Sequence, residues 1–262
     1  MPLRNYGFKE PTIKPKAWIA LGATGIPIRP DSVWPTPLYE PQAENFESFG
    51  CTVWGLQNQI EMYMMEVFGF EPNFDERYNY NIAQINPPGA DPDDSYESAR
   101  TKGLTEGVLP MTETLEEFKT PRPMIEKYYN EGKKWLDGYK FEHWWLGDTS
   151  KENIIVQLQF CPVGVAVTAW EENDGVYIDN GQPNTHWCVA FAPAEYKGRK
   201  TVKVFDSYDH SIKVLHPDHR ISVAKKILIT KLEGKQKNWV QDLFTNLWNF
   251  IKDLCRIIGI GK

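Results

Sequence analysis

From Thr52 to Phe68 the apolar residues Val53, Leu56, Ile60, Tyr63, Met64 and Val67 recur at the spacing of one helix face, and Gly69 follows as a stop. After residue 160 the period changes to two. Val163, Val165 and Val167 share one parity, as do Trp187, Val189 and Phe191, then Val202 and Val204, then Ile227 and Ile229. A helix-forming first half followed by a strand-forming second half predicts an α+β fold with a site between two lobes. A chain of 262 residues that is 41% hydrophobic can bury one sizeable core, or two small lobes sharing a cleft.

Residues 1 to about 41 are punctuated by Ile26-Pro27-Ile28-Arg29-Pro30 and Trp34-Pro35-Thr36-Pro37. Such a run favours extended backbone. It predicts an N-terminal arm over residues 1–29, draped over the body and either crossing the cleft as a lid or packing on the surface. The acidic stretch Asp91-Pro92-Asp93-Asp94-Ser95 reads as a solvated turn or, with a tighter series of oxygen ligands, a calcium loop; Ser95 is placed to cap a short helix reaching Lys102.

A net charge of −6 argues against binding nucleic acid through its phosphates. Cys51, Cys161, Cys188 and Cys255 have neither C-x-x-C spacing nor a histidine at metal-ligand spacing, so no metal or other cofactor is implied, and so few cysteines suit a reducing compartment. Residues 1–8 lack the apolar core of a signal peptide, and nowhere is there an uncharged apolar span of about twenty residues. These features predict a soluble, cytoplasmic protein.

Cys51, in Phe49-Gly50-Cys51-Thr52, stands at the head of the 52–68 helix. There the first-turn N–H groups and the helix dipole favour a thiolate. His186 opens the alternating stretch Trp187-Cys188-Val189-Ala190, where a sheet would hold an imidazole within reach as a base. Asp206 closes Val202-Lys203-Val204-Phe205, at the strand end from which a carboxylate can orient that imidazole. Singly each residue is weak evidence: Cys51 could be a small buried hydrophobe and His186 a satisfied core histidine. Together, in chain order and at element boundaries, they predict nucleophilic acyl transfer.

Further stretches carry a family resemblance over most of residues 30 to 230. Pro30-Asp31-Ser32-Val33-Trp34, Gln42 followed by Gly50-Cys51-Thr52-Val53-Trp54, Gly103-Leu104-Thr105-Glu106-Gly107-Val108-Leu109-Pro110, Pro162-Val163-Gly164-Val165-Ala166-Val167, Asp174-Gly175-Val176-Tyr177 and His186-Trp187-Cys188-Val189-Ala190 occur in the order of a papain-like domain. The chain resembles a divergent papain-like cysteine peptidase of the viral and bacterial type. The resemblance implies a helical left lobe, a right lobe built on an antiparallel barrel, and a peptide-binding cleft over residues 30–232. Cys51 would be the nucleophile, His186 the base and acid, and Gln42 an oxyanion donor beside the Cys51 backbone N–H. Asp206 stands where the family usually has Asn, Asp206-Ser207-Tyr208-Asp209 replaces Asn-Ser-Trp-Gly, the loop Ala43–Phe49 is longer than usual, and the Cys-Gly-x-Cys-Trp signature is absent. The extra negative charge at Asp206 should favour an imidazolium.

The implied activity is peptide hydrolysis through a Cys-His-Asp triad and a thioester acyl-enzyme. Two rivals are a non-catalytic papain-like scaffold that binds a peptide or partner, and a peptidoglycan-directed cysteine amidase or endopeptidase. Residues 233–262 form a separate tail. Val240, Leu243, Phe244, Leu247, Ile251, Leu254 and Ile258 mark an apolar helical stripe, and from Lys225 onward there are eight Lys/Arg against three Asp/Glu. That tail suits self-association, docking on the body, or a membrane surface.

Overall fold

The computed structural model describes residues 7–10, 31–107, 112, 114–119, 125–209 and 211–232. A compact body runs to Thr230, where a second unit, Lys231–Lys262, begins. The tail stripe from Val240 to Ile258 and Cys255 lie outside the described residues, as does His210.

In chain order the elements are β1 (Gly7–Phe8), α1 (Cys51–Phe68), α2 (Glu76–Ile82), β2 (Gly89–Ala90), α3 (Pro92–Lys102), α4 (Leu115–Lys119), α5 (Ile125–Gly138), β3 (Tyr139–Trp145), α6 (Lys151–Gln157), β4 (Val163–Val167), β5 (Glu172–Asn173), β6 (Val176–Tyr177), β7 (His186–Tyr196), β8 (Arg199–Phe205), β9 (Ile212–Val214) and β10 (Ala224–Lys231). Helices dominate the first half and strands the second, as the two periods predict. The right-hand lobe is a six-stranded antiparallel sheet in the order β3-β10-β4-β7-β8-β9. The short β5–β6 ribbon is tied to the end of β9 by the bridge between Tyr177 and Leu215.

The helix α1 ends as Gly69 predicts, with a left-handed φ of 77° and its N–H bonded to Met65 O at 3.1 Å. Its environment differs from the single buried face read from the sequence, because every residue from Cys51 to Met64 is buried. Several of the polar ones are matched internally. Gln59 Nε2 donates to Pro162 O at 2.7 Å and to Lys225 O at 3.0 Å, and Glu61 accepts from Phe74 N at 3.3 Å. Such partners offset the cost of burying an amide.

The acidic run around Asp93 is neither an open turn nor an ion loop: it forms the first turn of α3. Asp91, rather than Ser95, caps that helix, accepting from Asp93 N at 2.9 Å, with Pro92 in the first turn. An Asp-Pro pair supplies both a cap and a preset φ, so it outcompetes a serine further along. Ser95 instead bonds Thr52 Oγ1 at 2.9 Å, tying α3 to α1.

Trp187 links the lobes. It is 0% exposed, stacks on Phe8 at 6.0 Å and meets the edges of Tyr96 and Trp145 at 6.1 and 6.2 Å. The ring fits because Gly55 of α1 and Gly164 of β4 have no side chain; a Cβ on Gly55 would lie 2.5 Å from Trp187 Cδ1. Gly55→Ala therefore pits about 1 kcal/mol of gained helix propensity against overpacking of about 1–3 kcal/mol on an immobile ring. Overpacking wins, and the urea midpoint should fall with an unchanged m-value. Trp34 makes a second tie, stacking on Tyr63 of α1 at 5.8 Å while its N–H groups bond Phe191 O at 2.9 Å and Leu158 O at 2.7 Å. Among the described residues no helix is long and apolar enough to cross a membrane.

Candidate functional site

Cys51 is the first residue of α1. The chain reaches it through a tight approach in which Phe49 adopts a left-handed φ of 57° and Gly50 N bonds Ser48 Oγ at 3.2 Å. A Cβ on Gly50 would lie 2.5 Å from the Trp54 ring. The thiol is 0% exposed. Burial pushes the Cys51 thiol well above its usual range, backbone hydrogen bonds from Trp187 and Thr52 oppose this, and the charges of Asp206 and Glu47 add to the rise. The thiol thus lies within hydrogen-bond reach of the residue that follows His186.

His186 is the first residue of β7, opposite Val167 of β4, and Asp206 directly follows the last residue of β8. Because β7 and β8 are antiparallel neighbours, the start of one lies beside the end of the other. His186 Nε2 and Asp206 Oδ1 are 2.6 Å apart, and both side chains are 0% exposed. A carboxylate can only accept, so Nε2–H is the donor. The imidazole is held between the edge contacts of Trp170 at 5.6 Å and Tyr208 at 6.1 Å.

Asp206 Oδ1 also accepts from Tyr208 N at 3.1 Å, and Oδ2 lies 3.0 Å from Lys213 Nζ. Burial pushes this carboxyl up, but the charge and hydrogen bond of His186, then those of Lys213, outweigh it and hold the carboxyl down at about 2. Lys213, on β9, is itself 1% exposed. Sequence reasoning missed it. The one available signal was the acid at 206, since a buried carboxylate requires a buried cation.

Gln42 is brought to the same corner. Its N–H bonds Ser207 O at 2.9 Å, and its Oε1 accepts from Ser207 Oγ at 3.1 Å, which fixes the amide with its NH2 at the opposite end. Glu47, further along the loop, accepts from Phe49 N at 3.0 Å and from the Tyr208 hydroxyl. The long loop Ala43–Phe49 is thereby clamped to residues 207 and 208 at both ends.

The other described histidines are committed elsewhere. His143 Nδ1 takes Lys225 Nζ at 2.9 Å, His216 Nδ1 accepts from Asp218 N at 3.1 Å, and His219 Nδ1 bonds Tyr177 O at 3.0 Å. Among the described residues no group of three or more His, Cys, Asp or Glu is placed to hold a metal ion.

The N-terminal strand lies against this site. β1 pairs in parallel with β2, and Lys9 N donates to Ala90 O at 3.0 Å. Phe8, 3% exposed, covers Trp187. Gly7, at φ 103°, touches the backbone beside the nucleophile so closely that a Cβ there would lie 2.1 Å from Phe49 O.

No family model matches the chain, and no curated protein matches its sequence. Solved structures do match. A digestive procathepsin L 3 from the larval midgut of Tenebrio molitor superposes with a TM-score of 0.58 at 13% identity, over 86% of this chain and 76% of that one. The bromelain protease from Ananas comosus in complex with the E64 inhibitor gives 0.56 at 15% identity, over 75% of this chain and 94% of that one. A recombinant stem bromelain precursor gives 0.55 at 13% identity, over 76% and 67%. The chain has the papain-like fold.

Proposed function

We propose that this papain-like chain is a cysteine peptidase. The observation that carries the reading is the fully buried His186–Asp206 pair, 2.6 Å apart, together with Cys51 at the first position of α1, whose thiol is hydrogen-bonded by the Trp187 backbone. With Nε2 committed to Asp206, Nδ1 takes the thiol proton. The thiolate attacks the substrate carbonyl carbon, and the Gln42 side-chain amide with the Cys51 N–H stabilises the oxyanion. The imidazolium then protonates the departing amine as the carbon–nitrogen bond breaks, leaving a thioester. Water, deprotonated by His186, attacks the thioester; the acid departs and the thiol is restored.

The buried thiol favours one specific elaboration: β1 covers the nucleophile, and substrate enters once it lifts. The same burial suits a non-catalytic binding scaffold, and the test separates the two. An active-site-directed epoxide, followed by intact-mass and peptide analysis, is expected to add once to Cys51 in the wild-type chain and in Phe8→Ala, and not at all in Cys51→Ala. An adduct that persists in Cys51→Ala, or appears on Cys161, Cys188 or Cys255, would falsify the assignment; no adduct in either intact-thiol chain favours the scaffold. A peptide or protein substrate and a cytoplasmic location belong to the same reading.

A further inference from the structure

Asp206 carries a cation that no step of this reaction uses. Its Oδ1 serves His186 and the Tyr208 N–H, while its Oδ2 faces Lys213 Nζ at 3.0 Å. Lys213 reaches this place from β9, opposite Val204 of β8, and lies under the rings of Trp170 at 5.0 Å and Tyr177 at 5.5 Å. Its ammonium also bonds Asp209 Oδ1 at 2.5 Å and Ser211 Oγ at 2.7 Å. Asp209 is more than half exposed, so water screens it; Asp206 is 0% exposed and unscreened. Lys213 therefore acts mainly on Asp206.

The pair Asp206–Lys213 carries no net charge, yet still offers the imidazole one oxygen acceptor. A neutral side-chain amide would offer the same. We propose that Lys213 is a positioning residue that cancels the Asp206 charge, so that His186 meets the electrostatics of a neutral acceptor rather than of a bare carboxylate. This role rests on His186 being the base proposed above. Its physical point is the return of the proton: a bare buried carboxylate would hold the imidazolium, which must release its proton to the leaving amine and be neutral again to activate water. The extra charge at 206, read from the sequence as favouring the imidazolium, is thus offset within the fold.

The titratable groups facing the pair among the described residues are His186 and Cys188 from β7, Cys51 from α1, Tyr39 from the segment before α1, Tyr177 from β6, and Tyr208 and Asp209 after β8. Among the described residues, none but Lys213 places a second cation on Asp206.

The test follows the His186 ring nitrogens by NMR through a pH titration of the full chain. Lys213→Met should raise the His186 midpoint by about one pH unit, Lys213→Arg should leave it near wild type, and the double variant Asp206→Asn with Lys213→Met should bring it back. An unmoved midpoint in Lys213→Met, or a double variant that fails to return, overturns the proposal. If Lys213→Met does not fold but the double variant does, charge balance is supported. If both fail while Lys213→Arg folds, the lysine serves packing on Trp170 and Tyr177, and the proposal is lost. The readout needs no turnover. The expected shifts with no epoxide adduct on Cys51 would keep the charge pairing and sink the peptidase reading; an adduct with an unmoved midpoint would do the reverse.

Discussion

His186→Gln lowers kcat/KM on a peptide substrate by at least about 10³-fold, the scale on which removal of a positioned base acts. Glutamine is chosen because its amide can still donate to Asp206 Oδ1, so the carboxylate is not stranded between Lys213 and an empty space. The variant then separates loss of proton transfer from loss of fold, with thermal unfolding as the control. Both kcat and kcat/KM should fall together, since the imidazole acts in the transition states rather than in binding. A loss of less than about tenfold in a folded variant that still takes the epoxide on Cys51 would remove His186 from the chemistry.

Phe8→Ala raises the rate at which Cys51 reacts with a small alkylating agent by about 10²-fold. Truncating a buried phenyl costs about 3 kcal/mol, and each 1.4 kcal/mol shifts an opening equilibrium tenfold. Here the lost contact is the stack on Trp187, which on the proposed reading holds β1 over Cys51. Local opening of the strand is distinguished from general loosening by Cys161 and Cys188. Both are fully buried, and their labelling should stay slow. Equal rates at Cys51 in wild type and variant would show that β1 does not guard the thiol.

Cys51, His186 and Asp206 were legible because each sits where a periodic pattern begins or ends, and such boundaries survive folding as helix and strand termini. The antiparallel sheet then brings the last two to 2.6 Å without further instruction. Gln42 was legible only through the family resemblance; its attachment to Ser207 is a contact between segments far apart in the chain. The Asp91 cap is legible in the Asp91-Pro92 pair, which fixes the helix start four residues ahead of Ser95. Burial of α1 on all sides was not legible, since Gln57, Asn58 and Glu61 mimic a solvated face until their neighbours are known.

The sequence by itself determined the order of helices and strands, the residue types able to perform acyl transfer, and their places at element ends, because these depend on local period and composition. Only the tertiary structure decided that Lys213 neutralises Asp206, that Phe8 lies on Trp187, and that the Cys51 thiol is covered. Those facts depend on burial and on charges at distances that chain separation does not encode. The physical character of the site, as distinct from its membership, is set by what is excluded from water around it.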